Sequence, residues 1–236
     1  MSVRVEHVMG MPIVVEARGC DVPDAVFGWF RRVDATFSTY KEESAISRLR
    51  RGELALGEAD ADVRDVLRRC RELREETGGW FDVDAVGLDP SGFVKGWSVD
   101  EAAAILDRAG AAEYAINAGG DIRTRGRWRI GIQHPAEPQA VAKVVEGDDL
   151  CVATSGAYER GEHVRDPFTG AAPAGILSVT VTGPDLGTAD AYATAAYAMG
   201  PRRAIDWTAR LRGYEALTIL SGGRVLATPG FPTATP

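Results

Sequence analysis

From Ala189 the chain reads Ala189-Asp190-Ala191-Tyr192-Ala193-Thr194-Ala195-Ala196-Tyr197-Ala198-Met199, and then Gly200-Pro201. A run this rich in the best helix former is read as a helix, and Gly followed by Pro supplies its stop. Asp190 and Thr194 stand four residues apart near its start, so both side chains project from one face. A carboxylate and a hydroxyl at that spacing are hard oxygen ligands on a rigid support, suited to Mg²⁺ or another hard cation. The N-terminus of the same helix favours a nearby phosphate. A plainer reading makes Asp190 a helix cap and leaves Thr194 facing solvent.

Around this helix the chain alternates between two periods. Residues 3–18 read as two strands about Met9-Gly10-Met11-Pro12. Asp21 to Phe37 and Asp60 to Glu76 carry apolar residues at helical spacing, the second stopping at Thr77-Gly78-Gly79. Ser44 is a candidate cap for a short segment. Residues 80–97 read as a loop dense in Gly, Asp and aromatics, followed by a helix over Val99–Ala109. Strands are expected near 114–122, 128–133, 140–145, 151–154 and 177–182. A helix follows from Pro201, then a final hairpin over 215–227 with a frayed tail from Pro229. Strands and helices mixed without strict βαβ alternation give an α+β class. We expect a single domain over 1–236, in two closely packed lobes.

Charge and cysteine usage narrow the function. The formal net charge of -7 argues against nucleic acid as the main partner, since phosphate backbones want a basic face. A polyanionic ligand would need a local site of metal, lysine or helix N-termini. Three scattered cysteines, Cys20, Cys70 and Cys151, suggest neither a disulfide framework nor a zinc site. No apolar run reaches the length of a membrane span. The N-terminus lacks the apolar core of a signal peptide, so a cytoplasmic location is expected.

Several polar segments could build a site. Asp89-Pro90-Ser91-Gly92-Phe93-Val94-Lys95-Gly96 offers a carboxylate, an ammonium and glycines that allow close backbone approach, without the spacing of a P-loop. A turn leading into a capped helix explains it equally well. Asn117-Ala118-Gly119-Gly120-Asp121 reads by itself as a hairpin turn. His163 lies in a polar loop and is a candidate general base, although a lone loop histidine is more often a surface residue. Thr154-Ser155-Gly156 lacks the G-x-S-x-G elbow, so Ser155 is not read as a nucleophile.

Taken in order, these segments resemble the ApbE-like FAD:protein FMN transferases. The resemblance runs from Met9-Gly10 through Ser38-Thr39-Tyr40 with Ser44, and through Gly79-Trp80-Phe81-Asp82. It continues with Asp89-x-x-Gly92-x-x-Lys95-Gly96, Asn117-Ala118-Gly119-Gly120-Asp121 and Thr154-Ser155-Gly156-x-Tyr158. His163-x-x-Asp166-Pro167-x-Thr169-Gly170 and Ala189-Asp190-Ala191-x-Ala193-Thr194 complete it.

The resemblance implies a Mg²⁺-dependent enzyme that cleaves the FAD diphosphate. FMN goes through a phosphoester to a Ser or Thr hydroxyl of an acceptor flavoprotein with a Ser/Thr-Gly-Ala-Ser/Thr motif, and AMP is released. It implies Asp190, Thr194 and the Gly92 carbonyl as metal ligands. Met9, Tyr40, Trp80, Phe81, Asp82, Asp89, Lys95 and Val164 fall where the family lines FAD, with Tyr40 placed for ring stacking. His163 falls at the position of a histidine important for transfer, and Asp190 is counted with it as catalytic. Three departures stand out: a short stretch, 83–88, between Asp82 and Asp89; Pro90-Ser91 in place of Leu-Gly; and Arg50 where many relatives have Asn. Two other readings compete, a Mg²⁺-dependent FAD pyrophosphatase and a flavin-binding protein without catalysis. A third, that the chain is itself flavinylated at Ser155-Gly156-Ala157, is weakened by Tyr158 where Ser or Thr is wanted.

Overall fold

The computed structural model describes residues 1–85, 87–156 and 164–234. The N-terminal hairpin of β1 (Ser2–Val8) and β2 (Met11–Arg18) is followed by α1 (Asp24–Phe37), α2 (Ala45–Arg50) and α3 (Ala61–Glu76). Next come α4 (Ser91–Arg108), β3 (Glu113–Ala118), β4 (Asp121–Arg125), β5 (Arg127–His134), β6 (Glu137–Asp148) and β7 (Cys151–Gly156). The chain closes with β8 (Ile176–Thr182), α5 (Leu186–Thr208), β9 (Glu215–Leu220) and β10 (Val225–Ala227). Eight strands form one sheet in the order β1-β2-β3-β4-β7-β8-β9-β10, and every neighbouring pair is antiparallel. β5 and β6 form a separate two-stranded sheet. The expected α+β class is what the chain adopts.

Period-2 alternation sorts the strands onto two cores. Ile13, Val15 and Ala17 of β2 and Ile116 of β3 are fully buried with Phe27, Phe30 and Leu106 in the helix-side core. On the other face Val152, Leu217 and Ile219 pack against Ile130, Ile132 and Val145 of the β5–β6 hairpin. Phe231 is buried in this second core and Thr233 bridges to Val145, so residues 229–234 are tied down and not frayed. An aromatic anchor and a backbone bridge outweigh the end-of-chain entropy there.

Two local expectations are corrected. The helix expected from Val99 begins at Ser91, so residues 91–97 of the presumed loop form its first two turns. Asp89 Oδ1 accepts the Ser91 N–H at 3.0 Å, which starts the helix in place of a conventional cap. The helix expected from Ala189 begins at Leu186, and its cap is Asp185, whose Oδ1 accepts the Thr188 N–H at 2.7 Å. Asp190 is therefore not a cap. Gly200 (φ 71°, ψ 175°) breaks α5 as the Gly-Pro signal suggested, leaving two helical stretches. Ser44 does cap α2, through the Ser47 N–H.

Candidate functional site

The site is assembled where α4 crosses α5 on the helix side of the sheet, and glycines permit the crossing. A Cβ on Gly96 would sit 2.4 Å from the Leu186 carbonyl oxygen and 3.0 Å from the Asp190 Cβ. One on Gly187 would meet Phe93 at 2.9 Å, and one on Gly92 would meet Thr194 Oγ1 at 3.0 Å. The two backbones thus approach closer than any residue with a side chain allows. The cost of glycine in a helix interior is offset by burial of Phe93, Val94, Val99, Ala189 and Ala193 along the same contact.

That approach seats Asp190 against α4. Its Oδ2 accepts the Gly96 N–H at 3.1 Å, the donor whose regular helical acceptor is the Gly92 carbonyl. Thr194, one turn on, places its hydroxyl beside the Gly92 backbone and 3.1 Å from the Ser155 hydroxyl. Asp190 is only 1% exposed. Burial and the facing charge of Asp121 push its carboxyl well above the ordinary range. Burial likewise raises Asp121. The Lys95 ammonium stands between them, 3.1 Å from Asp121 Oδ2 and 4.0 Å from Asp190 Oδ1.

Two buried carboxyls and one ammonium form a cluster short of positive charge. Its outward donors are hard oxygens: Asp190 Oδ1, the hydroxyls of Thr194 and Ser155, and the adjacent Gly92 backbone. Among the described residues no three His, Cys, Asp or Glu side chains gather into a metal cage. An ion here would be held by few protein oxygens and would keep sites for water or phosphate. Those are the coordination habits of Mg²⁺. The residues fit the ion.

Two adjoining hollows extend from this cluster. The first, about 110 Å³, is lined by Trp80, Phe81, Asp82, Asp89, Gly92, Lys95, Val164, Asp190 and Thr194, together with Thr154 and Ser155. The second, about 460 Å³, is lined by Met9, Tyr40, Ser91 and Lys95 among others. Ser91 and Lys95 belong to both walls. The smaller has room for an ion and phosphate oxygens, and only the larger has room for a ring system. Tyr40 is 95% exposed, an aromatic face with little protein against it. Met9 holds a positive φ of 57° in the β1–β2 turn.

All the anticipated side chains except one are thereby brought to a single region. The exception, His163, lies outside the described residues. Asp82 is already engaged, accepting from Arg74 Nε at 2.7 Å. Arg50 hydrogen-bonds the Gly87 carbonyl at the short stretch between Asp82 and Asp89. Sequence reasoning overlooked Asp121, Thr154 and Ser155 as site residues. The glycine-rich motif of Asp121 reads as a hairpin turn and Thr154-Ser155-Gly156 lacks a nucleophile elbow, and the pairing of β4 with β7 brings the two segments together.

The sequence profile of the ApbE family matches residues 9–88 and 83–218, most of the chain, in two stretches that meet where the segment after Asp82 is short. The chain belongs to the ApbE family. Among curated relatives, the FAD:protein FMN transferase of Vibrio cholerae is 36% identical over 138 residues, 52% of this chain and 41% of the relative. That of Rhodobacter capsulatus is 33% identical over 161 residues, 61% of this chain and 30% of the relative. These matches thus span less than half of either relative's length. Solved structures share the fold: the ApbE protein of Thermotoga maritima has a TM-score of 0.85 at 22% identity, covering 98% of this chain and 99% of that one. The flavin transferase ApbE of Vibrio cholerae gives 0.85 at 22% identity, covering 98% of each. Among the described residues no helix is long and apolar enough to cross a membrane.

Proposed function

We propose that this ApbE-family chain is a Mg²⁺-dependent FAD:protein FMN transferase. The observation that carries the reading is the convergence of Asp190, Thr194, Gly92 and Lys95 at a phosphate-sized hollow. That hollow adjoins a groove with a bare tyrosine face, Ser91 and Lys95 lining both. FAD would lie along both hollows, its diphosphate at Lys95 and a ring on Tyr40. Asp190, Thr194 and the Gly92 carbonyl would hold Mg²⁺, which supplies charge neutralisation on the diphosphate and the leaving AMP.

The bond that forms joins the acceptor's Ser or Thr oxygen to the FMN phosphorus. The bond that breaks is the P–O bond to AMP, which leaves with the electron pair. His163 takes the hydroxyl proton. Lys95, with its ammonium held by buried carboxylates, presents a fixed positive charge to the phosphate oxygens at no cost in reorganisation during transfer. The acceptor is a flavoprotein segment bearing a Ser/Thr-Gly-Ala-Ser/Thr motif.

The test is incubation with FAD and Mg²⁺, with and without a protein carrying that motif, followed by mass spectrometry and nucleotide chromatography. One FMN on the acceptor with equimolar AMP is expected. Free FMN and AMP without labelling would make the chain a pyrophosphatase, and FAD retained intact would make it a binder.

A further inference from the structure

We infer that Asp121 is a positioning residue that holds the Lys95 ammonium away from Asp190, leaving Asp190 free for the cation. The inference rests on the metal and FAD reading of the site proposed above. Asp121 is the first residue of β4, directly after the Gly119-Gly120 turn, whose φ values are 55° and 90°. That turn is pinned by the Gly120 N–H donating to Asn117 Oδ1 at 3.0 Å. The Asp121 side chain is fully buried, and its Oδ1 accepts the Thr154 N–H of β7 at 3.1 Å. Its position is therefore fixed from two strands.

The other oxygen, Oδ2, faces the lysine at 3.1 Å, against 4.0 Å from the lysine to Asp190. A lysine head on four flexible carbons goes to the strongest local anion. Among the described residues, the carboxylate next nearest to that ammonium is Asp190, at 4.0 Å, the one the metal needs. With Asp121 charged, the two acids divide the work: Asp121 takes the ammonium and Asp190 takes the ion. A purely structural role for Asp121 would be to satisfy the Thr154 N–H. Asp121→Asn separates the two roles, because the amide oxygen keeps that bond while the charge is lost.

The experiment is Mn²⁺ or Mg²⁺ binding without FAD, by calorimetry, to four proteins: wild type, Asp121→Asn, Lys95→Met and the double variant. Asp121→Asn is expected to weaken the metal about tenfold, in the range that supporting residues of metal sites show. In the Lys95→Met background the same change is expected to cost much less, since no ammonium remains to move. Equal losses in both backgrounds, or unchanged metal affinity with a lowered melting temperature, would overturn the inference. Should Asp121→Asn alone not fold, the doubly neutral variant decides against Lys95→Met: affinities within about twofold support the inference and a tenfold gap overturns it. Metal binding that Asp190→Ala abolishes, in a wild type that transfers no FMN, would sink the transferase reading and leave this test intact.

Discussion

The two faces of the sheet are built on opposite principles. The hairpin face is closed by Ile130, Ile132, Val145, Val152, Leu217, Ile219 and Phe231, an apolar contact that gains from every methylene it buries. The helix face holds a comparable apolar core but interrupts it with Asp121, Lys95, Asp190, Thr194 and Ser155, all at the place where glycine brings α4 onto α5. Buried like charges cost stability, and among the described residues the fold accepts that cost on the helix face. The contrast separates what holds the chain together from what the chain does.

Substitutions on the two faces should therefore dissociate activity from stability. Asp190→Ala is expected to lower metal-dependent FMN transfer at least ~100-fold, as loss of a charge-stabilising group does. Its melting temperature should hold or rise, because one of two facing buried carboxyls is gone. Transfer at the wild-type rate would remove the metal assignment. Ile132→Ala should do the reverse. It removes a side chain from the second core and should cost about 2–5 kcal/mol in urea unfolding, while kcat measured well below the melting temperature stays at the wild-type value.

Gly96→Ala tests the junction between these behaviours. Its added methyl meets the Leu186 carbonyl and can be accommodated only by moving helices apart, at about 1–3 kcal/mol. Because the same movement withdraws the Gly96 N–H from Asp190, transfer should fall along with stability. A variant that is destabilised yet transfers normally would show that the crossing serves packing alone.

The gentlest probe is pH. Asp100 of α4 accepts the Leu186 and Gly187 N–H groups at 2.8 and 3.0 Å and pairs with Arg123 at 3.1 Å. Burial nonetheless raises its pKa from 3.8 to about 6. Between those values the folded chain keeps a proton that the unfolded chain has released. This contribution to stability is therefore present at pH 4 and declines as pH rises to 6. The hydrogen bonds and Arg123 favour the anion and moderate the effect. Comparing unfolding of wild type and Asp100→Asn at pH 4.5 and 7 should show the gap change between them. Ile132→Ala should leave that pH slope untouched.

What the sequence disclosed follows the range over which each signal acts. Asp190 and Thr194 were legible because i, i+4 spacing on an alanine-rich helix is local information. The strands of the sheet were legible through alternation, and the Gly200-Pro201 break through its chemistry. The start of α4 was not, because Gly92 and Gly96 count against a helix until the partner that needs them is known, and that partner lies more than ninety residues away. Asp121 was hidden for a related reason. Its motif has the composition of a hairpin turn, and nothing within it indicates that β7 and Lys95 will close over the carboxylate. The tail was misjudged because Phe231 finds its pocket only after the hairpin has formed.

The Gly96–Asp190 hydrogen bond joins residues 94 positions apart, and β2 pairs with β3 across the whole of α1 to α4. The site is thus among the last things the chain can make. During synthesis the first three helices and the N-terminal hairpin emerge with their sheet partner still absent. The carboxylate cluster closes only once α5 has been delivered. A nascent chain consequently holds no half-built carboxylate cluster, and assembly of the site waits on delivery of the late helix.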